Sequence, residues 1–215
     1  MLTIHATRSP EALKPLVALE ELGLTYHFCT TDRFGGPGAA AAEAPLLTDD
    51  ADDRFAIFSP MAALLHLAER EPRLLPTGPA SRAVALQWLG WEAATLGPLE
   101  GHRCLHHVRV RPPVSRDAAR GALELLDRQL ARAPFLMGAF GLADIGVWPW
   151  ARAYRAAGIP THDLRHAIAW LDALENRTSA RRAIARLHAG ELAPPRPHAC
   201  AVADCALAPS ASAAE

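Results

Sequence analysis

The stretch GLADIGVWPWARAYRAAGI, residues 141–159, decides the fold of this chain. It predicts a helix near 142–157, because apolar side chains run through it and Gly158-Ile159-Pro160 ends it. Alanine, the best helix former, dominates the composition, and four more helices are predicted around this one. They lie near residues 80–105, 115–132, 163–176 and 179–188. We therefore expect the second part of the chain to be entirely helical.

The first 76 residues differ from the rest, because short strand patterns alternate there with helices. Leu2–Ala6 and Thr25–Thr30 predict strands, and Ser9-Pro10-Glu11 begins a helix between them that ends at Gly23. Strand, helix and strand within about 30 residues form a βαβ unit, which implies a parallel strand pair. The order βαβ-ββα is completed by strands at 45–48 and 55–57 and a helix from Ser59-Pro60.

A proline-rich segment divides the chain. Arg70–Pro79 (REPRLLPTGP) holds three prolines and a glycine, a composition typical of a boundary between domains. The sequence thus predicts an α+β fold with a first domain over 1–76 and an all-helical domain over 80–193. Residues 194–215 are rich in Pro, Ala and Ser without periodicity, which predicts a mobile tail.

Composition and charge exclude several classes of protein. The 215 residues include 22 basic and 23 acidic side chains, and the net charge of -1 gives no general attraction to nucleic acid or to anionic membranes. Half of the residues are hydrophobic, which excludes a wholly disordered chain. No run of about 18 apolar residues predicts a membrane span, and no secretory signal is evident. Four scattered cysteines do not predict a disulfide framework, so a cytoplasmic location is expected.

Four segments of the sequence together match a known family pattern: LEELGLTY (19–26), LLHLAER (64–70), QWLGW with LGPL (87–99), and the triplets ADI, WPW and AGI within 143–159. The first segment resembles the first helix and second strand of the cytosolic glutathione transferases, and the second segment resembles the end of their third helix. The third segment resembles the first long helix of their helical domain, and the last resembles the folding motif of that domain. The last two segments are most similar to the bacterial nu class and its fungal prion-like relatives. The resemblance covers residues 1–190.

The resemblance implies a fold, a co-substrate and a partner. It implies a thioredoxin-like N-terminal domain that binds glutathione, shortened so that its second helix is missing, followed by a helical bundle. It also implies a homodimer that acts on a small electrophile or binds a hydrophobic ligand. A small-residue face on the first long helix would support the dimer, formed by Ala85, Leu86, Leu89, Gly90 and Ala93. In this fold Asp144 has a structural role, accepting free amide donors at the start of its helix.

The resemblance assigns the glutathione site to five residues. Ser9 matches the family's hydroxyl that stabilises the thiolate of glutathione, although Ser9 could also simply cap its helix. Pro45 matches the family's cis-proline, and the backbone of Ala44 before it would pair with the tripeptide. Ser59 would meet the γ-glutamyl end, and Arg33 is the obvious cation for the other end.

A second substrate would lie between the domains, near His102, Arg103, His106 and Trp148. His102 and His106 stand four residues apart on one helical face, a geometry that can bind a metal. No third ligand has suitable spacing, so we expect a solvated face or a substrate contact and no metal. Arg103 could hold a carboxylate of the ligand through its guanidinium fork. Trp148 could equally belong to the core.

Three departures from the family pattern predict weak glutathione binding. Glu11 stands where the nu class carries Asn, and its negative charge would disfavour a nearby thiolate. Ser59-Pro60 replaces an acid-Ser pair, and the segment 33–44 is short. The hypotheses therefore include a transferase, a binding or structural protein that has lost the tripeptide site, and a biosynthetic enzyme of this fold that uses another ligand.

Overall fold

The computed structural model describes residues 1–6, 8–30, 46–49, 52–57, 59–70, 73–96 and 116–189. Within these ranges the chain forms four strands: β1 (Leu2–Ala6), β2 (Tyr26–Thr30), β3 (Leu46–Asp49) and β4 (Asp52–Ile57). The same ranges contain seven helices: α1 (Pro10–Leu22), α2 (Pro60–Glu69), α3 (Pro79–Thr95), α4 (Arg116–Leu130), α5 (Leu142–Ala156), α6 (Arg165–Glu175) and α7 (Thr178–Ala189). This arrangement confirms the predicted α+β fold class, with a thioredoxin-like first part and a helical second part.

The strands form one mixed sheet in the order β2-β1-β3-β4. β1 and β2 are parallel, as the βαβ pattern predicts, while β3 runs antiparallel to both β1 and β4. β4 begins at Asp52, earlier than the prediction from residue 55, because Asp52 pairs with Asp49 of β3. The sheet direction places the carboxyl ends of β1, β2 and β4 at one edge.

Helix α1 is buried along most of its length, because it packs against α2, α5 and α7. It ends at Gly23, which adopts the left-handed conformation with φ 66°, as the predicted glycine stop requires. Near this end, the Glu21 carboxylate accepts hydrogen bonds from Arg177 (2.6 Å) and from the Ser179 hydroxyl (2.5 Å). These bonds fix α1 of the first part to the C-terminal helices of the second part.

Helix α5 forms the centre of the helical part, with residues 142–151 all buried. Gly146 lets α3 approach closely, because a Cβ at this position would lie 2.3 Å from a methyl carbon of Leu89. Leu89 and Ala85 therefore face the core of their own chain. The predicted dimer face is wrong at these two positions, because α5 packs against this part of α3 within the same chain.

Asp144 organises the start of α5, as predicted. It is fully buried, and its two carboxylate oxygens accept hydrogen bonds from the backbone N–H of Leu136 (3.0 Å) and Gly141 (3.1 Å) and from the indole of Trp170 (2.8 Å). Burial raises the pKa of the Asp144 carboxyl to about 6, although these three donors favour the ionised form. Asp144 thus ties α5, α6 and the preceding loop together.

Candidate functional site

The candidate site lies at the edge of the sheet where three strands end. In the register of the sheet, Ala6 of β1 pairs with Thr30 of β2, and Ile57 of β4 pairs with Leu47 near the start of β3. Both α1 and α2 begin immediately after strands that end here. Two helix N-termini therefore meet this edge, and their free N–H groups and positive dipole ends favour an anion.

Ser9 stands at the N-cap of α1, in an extended conformation (φ -126°, ψ 160°). Its backbone carbonyl accepts a hydrogen bond from the N–H of Ala12 (3.2 Å), but its hydroxyl makes no cap bond. The hydroxyl oxygen is buried and has no hydrogen-bond partner in the part of the chain that the structure describes. The Ser9 hydroxyl therefore does not cap its helix through a side-chain hydrogen bond, contrary to the capping alternative, and its role toward a ligand stays a prediction.

Ser59 occupies the equivalent position on α2 but behaves differently. Its hydroxyl oxygen accepts a hydrogen bond from the backbone N–H of Ala62 (3.3 Å), and Pro60 follows as the first helical residue. The Ser59 oxygen is thus used by its own helix, while its O–H proton can still be donated. The two serines at this edge therefore differ: the Ser9 hydroxyl has no hydrogen-bond partner among the described residues, whereas the Ser59 oxygen already accepts one hydrogen bond.

Glu11, in the first turn of α1, is held by a buried network that the sequence analysis missed. The ammonium of Lys14 contacts both carboxylate oxygens of Glu11 (2.8 and 2.9 Å) and also binds Glu92 on α3 (2.8 Å). The indole N–H of Trp150 on α5 donates to Glu11 as well. The side chains of Lys14 and Glu92 are 2 % and 0 % exposed. The charge of Glu11 is therefore paired at the interface between the two parts of the chain.

Two signals in the sequence could have pointed to this network. Lys14 is the single lysine of the chain and stands among apolar residues of a predicted helix. Glu92 directly follows a run that contains Trp88 and Trp91, on a face that must be buried. An acid and a base at core positions of two different helices require each other as partners, because isolated charges are almost never buried.

The Glu92 carboxylate shares the ammonium of Lys14 with the carboxylate of Glu11. One of its carboxylate oxygens binds Lys14, and the other is buried without a hydrogen-bond partner among the described residues. Burial raises the pKa of the Glu92 carboxyl to about 7, with Lys14 opposing this shift and Glu11 adding to it. Glu92 therefore changes its protonation state near neutral pH.

Because of this raised pKa, Glu92 should make the protein more stable at pH 6, where its carboxyl is protonated, than at pH 8, where it is ionised. A raised folded-state pKa means that the folded chain binds the proton more tightly, so stability falls as pH rises from about 4.5 to about 7. Glu92→Gln should remove about 1 kcal/mol of this pH dependence, measured as the free energy of urea unfolding at pH 6 and pH 8.

The comparison with Glu92→Gln isolates this group from two others. Asp144, with a raised pKa of about 6, contributes mostly below that range. Burial lowers the pKa of His66, which contributes the opposite slope, but His66 is present in both proteins and cancels in the difference. Equal pH slopes for Glu92→Gln and the unmodified protein would contradict the prediction.

The remaining predicted site residues divide into two groups. Trp148 is 1 % exposed, as the core alternative expects, and its indole N–H has no hydrogen-bond partner within the described ranges. A substrate contact at Trp148 stays a prediction. The other predicted residues lie outside the described residues, namely Arg33, Ala44, Pro45, His102, Arg103 and His106.

The described residues contain neither a candidate metal site nor a candidate membrane span. No group of three or more His, Cys, Asp or Glu side chains is suitably placed there for a metal ion. No described helix combines the length and the apolar character that a membrane span requires.

Comparison with known proteins finds one matching family model and several relatives. The family model described as "Glutathione S-transferase, C-terminal domain" matches residues 79–173. The disulfide-bond oxidoreductase YfcG of Escherichia coli is 26% identical over 213 residues, covering 89% of this chain and 98% of that protein. An uncharacterized GST-like protein of Streptococcus mutans is 26% identical over 216 residues, covering 85% of this chain and 81% of that protein.

Solved structures of glutathione transferases share the fold. A Pseudomonas putida glutathione transferase with glutathione disulfide bound superposes with a TM-score of 0.71 at 24% identity, covering 85% of this chain and 90% of that one. The transferase URE2P6 of Phanerochaete chrysosporium, in complex with oxidized glutathione, gives a TM-score of 0.73 at 22% identity, with 87% and 96% coverage. Residues 79–173 of this chain are thus similar to the C-terminal domain of glutathione S-transferases, and the described chain shares the fold of the solved glutathione transferases.

Proposed function

We propose that this chain binds glutathione at the carboxyl edge of its sheet and uses Ser9 to stabilise the glutathione thiolate for transfer to a small substrate. The observation that carries the proposal is the buried, unpartnered hydroxyl of Ser9 at the N-terminus of α1. A buried hydroxyl without a partner is unfavourable, so a ligand that accepts its proton in a hydrogen bond gains free energy.

The chemistry needs a donor at this place. A free thiol with a pKa of about 8.5 is only about 3% ionised at pH 7, and lowering the pKa to about 6.5 makes about three quarters of it reactive thiolate. A hydroxyl donor and a helix N-terminus both favour the charged sulfur. The thiol proton leaves to solvent, and the thiolate then attacks the substrate.

Two reactions use the same thiolate. In conjugation, the sulfur forms a bond to an electrophilic carbon, and a leaving group or a new carbanion accepts the electron pair. In disulfide exchange, the thiolate attacks one sulfur of a disulfide and releases the other as a thiolate, so no external oxidant is needed. The likeness to an Escherichia coli protein named a disulfide-bond oxidoreductase supports the second reaction.

A second candidate function is binding without catalysis. This alternative is favoured by Ser59, which stands where the family resemblance implies a carboxylate that holds the ammonium of glutathione. The Ser59 oxygen already accepts a hydrogen bond from Ala62, and Pro60 follows it. A protein of this kind would keep the fold and bind a hydrophobic ligand between its two parts.

Calorimetric titration with reduced and with oxidised glutathione, followed by assays with a disulfide and with an aryl halide, tests the proposal. Saturable binding together with turnover in either assay supports it. The absence of binding at several millimolar glutathione would reject it and favour the non-catalytic alternative.

We expect glutathione to bind weakly, because the usual carboxylate partner of its ammonium is replaced by Ser59. Loss of one charge-assisted hydrogen bond costs about 1.5–3 kcal/mol, roughly ten- to a hundredfold in affinity. Ser59→Glu should therefore lower the dissociation constant about tenfold in the same titration. Ser59→Gln, which has the same length without the charge, is the matched control and should not tighten binding. Low-micromolar affinity of the unmodified protein would contradict this expectation.

We expect the chain to form a homodimer, as the family resemblance implies, and its few scattered cysteines favour a cytoplasmic location. On α3 the exposed apolar side chains are Val84 and Leu86, while Gly90 and Ala93 supply small exposed positions beside them. Sedimentation equilibrium at micromolar concentration should give a mass near twice 23.1 kDa. A single species at the monomer mass would contradict the expectation.

A further inference from the structure

Glu11 is an acidic residue in an unfavourable place for thiolate chemistry. It lies two residues after Ser9, in the first turn of the same helix. A carboxylate beside a developing thiolate raises the thiol pKa, because like charges disfavour each other's ionised form. The structure, however, leaves no part of this carboxylate uncompensated: Lys14 binds both of its oxygens and Trp150 donates to one of them.

We propose that Lys14 is a positioning residue for thiolate formation: its ammonium holds the Glu11 carboxylate at the interface of α1, α3 and α5 and cancels the negative charge that would otherwise act on a thiolate beside Ser9. The inference rests on the proposed function of Ser9, which it deepens. It assigns a role at the reacting end of α1 to a residue that itself touches neither glutathione nor substrate.

Stability alone does not account for this arrangement. Two carboxylates share one ammonium in a buried interface, and one oxygen of Glu92 is left without a partner in the described structure. Buried ion groups of this kind gain little stability over apolar residues of similar volume, because desolvation of the charges offsets their attraction. An effect on the charge near Ser9 explains the presence of Lys14, Glu11 and Glu92 at this interface, whereas packing alone does not.

Geometry limits this role to Lys14. Along the axis of α1, Lys14 lies about 7 Å from Ser9, whereas Glu21 and its cation Arg177 lie about 18 Å away. Charges separated by more than about 8–10 Å through solvent are largely screened at physiological salt. Of the cation–carboxylate contacts on this helix, the Lys14 pair should therefore influence a thiolate at Ser9. The contacts at the other end of the helix, Glu20 with Arg186 and Glu21 with Arg177, should not.

The test places a thiol in the site covalently, so that it does not depend on glutathione binding. In a Ser9→Cys parent, the pKa of the introduced thiol is measured from the pH dependence of its alkylation by iodoacetamide. Mass spectrometry of the peptide containing position 9 separates it from the four native cysteines. Adding Lys14→Met should raise this pKa by about one unit and slow alkylation about tenfold at pH 6, where Glu92 is mainly protonated.

A second substitution identifies the partner. Lys14→Met together with Glu11→Gln should return the alkylation rate to that of the parent, because both the cation and the anion are gone. Arg177→Met, which removes a cation from the distant carboxylate Glu21, is the matched control and should leave the rate unchanged. An unchanged thiol pKa in Lys14→Met, or no recovery with Glu11→Gln, would overturn the proposal even if the melting temperature falls.

Glu11→Gln alone keeps the test decisive if Lys14→Met does not fold. This variant leaves the charge of Lys14 less opposed, so the thiol pKa should fall below that of the parent. A pKa that stays the same or rises would overturn the proposal. Glutathione titration of the unmodified protein is a separate measurement, and its failure would reject the proposed function without changing the result at the introduced thiol.

Discussion

Replacing Ser9 with alanine is expected to reduce glutathione-dependent turnover about a hundredfold at pH 7. Removal of one preorganised donor to a developing anion typically has an effect of this size. The pKa of bound glutathione, followed by thiolate absorbance, should rise toward its value in solution. Stability should change little, because the Ser9 hydroxyl makes no hydrogen bond to its own helix.

Ser59→Ala is the matched comparison for the stability part of this result. Ser59 begins the neighbouring helix in the same way, but its hydroxyl oxygen does cap that helix through the N–H of Ala62. Its loss should therefore lower the free energy of unfolding by about 1 kcal/mol, the usual value of an N-cap. Full activity together with lost stability in Ser9→Ala would mean that Ser9 acts only on its helix.

The same contrast shows what the sequence could and could not predict. Ser9-Pro10 and Ser59-Pro60 carry the same local signal, and both correctly mark the start of a helix. The sequence does not show which of the two hydroxyls caps its own helix with a hydrogen bond, because that depends on side-chain rotation and on what surrounds each oxygen. The structure distinguishes them: the Ser59 hydroxyl caps its helix, and the Ser9 hydroxyl has no hydrogen-bond partner among the described residues.

Long-range partners explain the other differences. Lys14 and Glu92 are 78 residues apart, so no periodicity within either helix links them. Leu89 belongs to the core because Gly146 of another helix leaves room for it. Asp144, by contrast, is predictable, because one of its donors is the backbone N–H of Gly141 at the start of its own helix, and every helix start has N–H groups that need a partner.

Asp144→Ala is expected to have the largest effect on stability of any substitution considered for this chain. It would leave the buried N–H groups of Leu136, Gly141 and Trp170 without an acceptor, and each such group costs about 1–3 kcal/mol. A total loss of roughly 3–9 kcal/mol is comparable with the whole stability of many domains, about 5–15 kcal/mol.

Urea unfolding should show this loss as a much lower midpoint for Asp144→Ala, or as failure to accumulate folded protein. Asp163→Ala is the control, because Asp163 is exposed and pairs with Arg120 at the surface, where ion pairs contribute about 1 kcal/mol or less. Asp144→Asn separates shape from charge: one amide oxygen can still accept, but the amide nitrogen faces donors, so its stability should fall between the other two. If Asp144→Ala unfolded at the same urea concentration as Asp163→Ala, the carboxylate could not be what holds α5, α6 and the loop before them together.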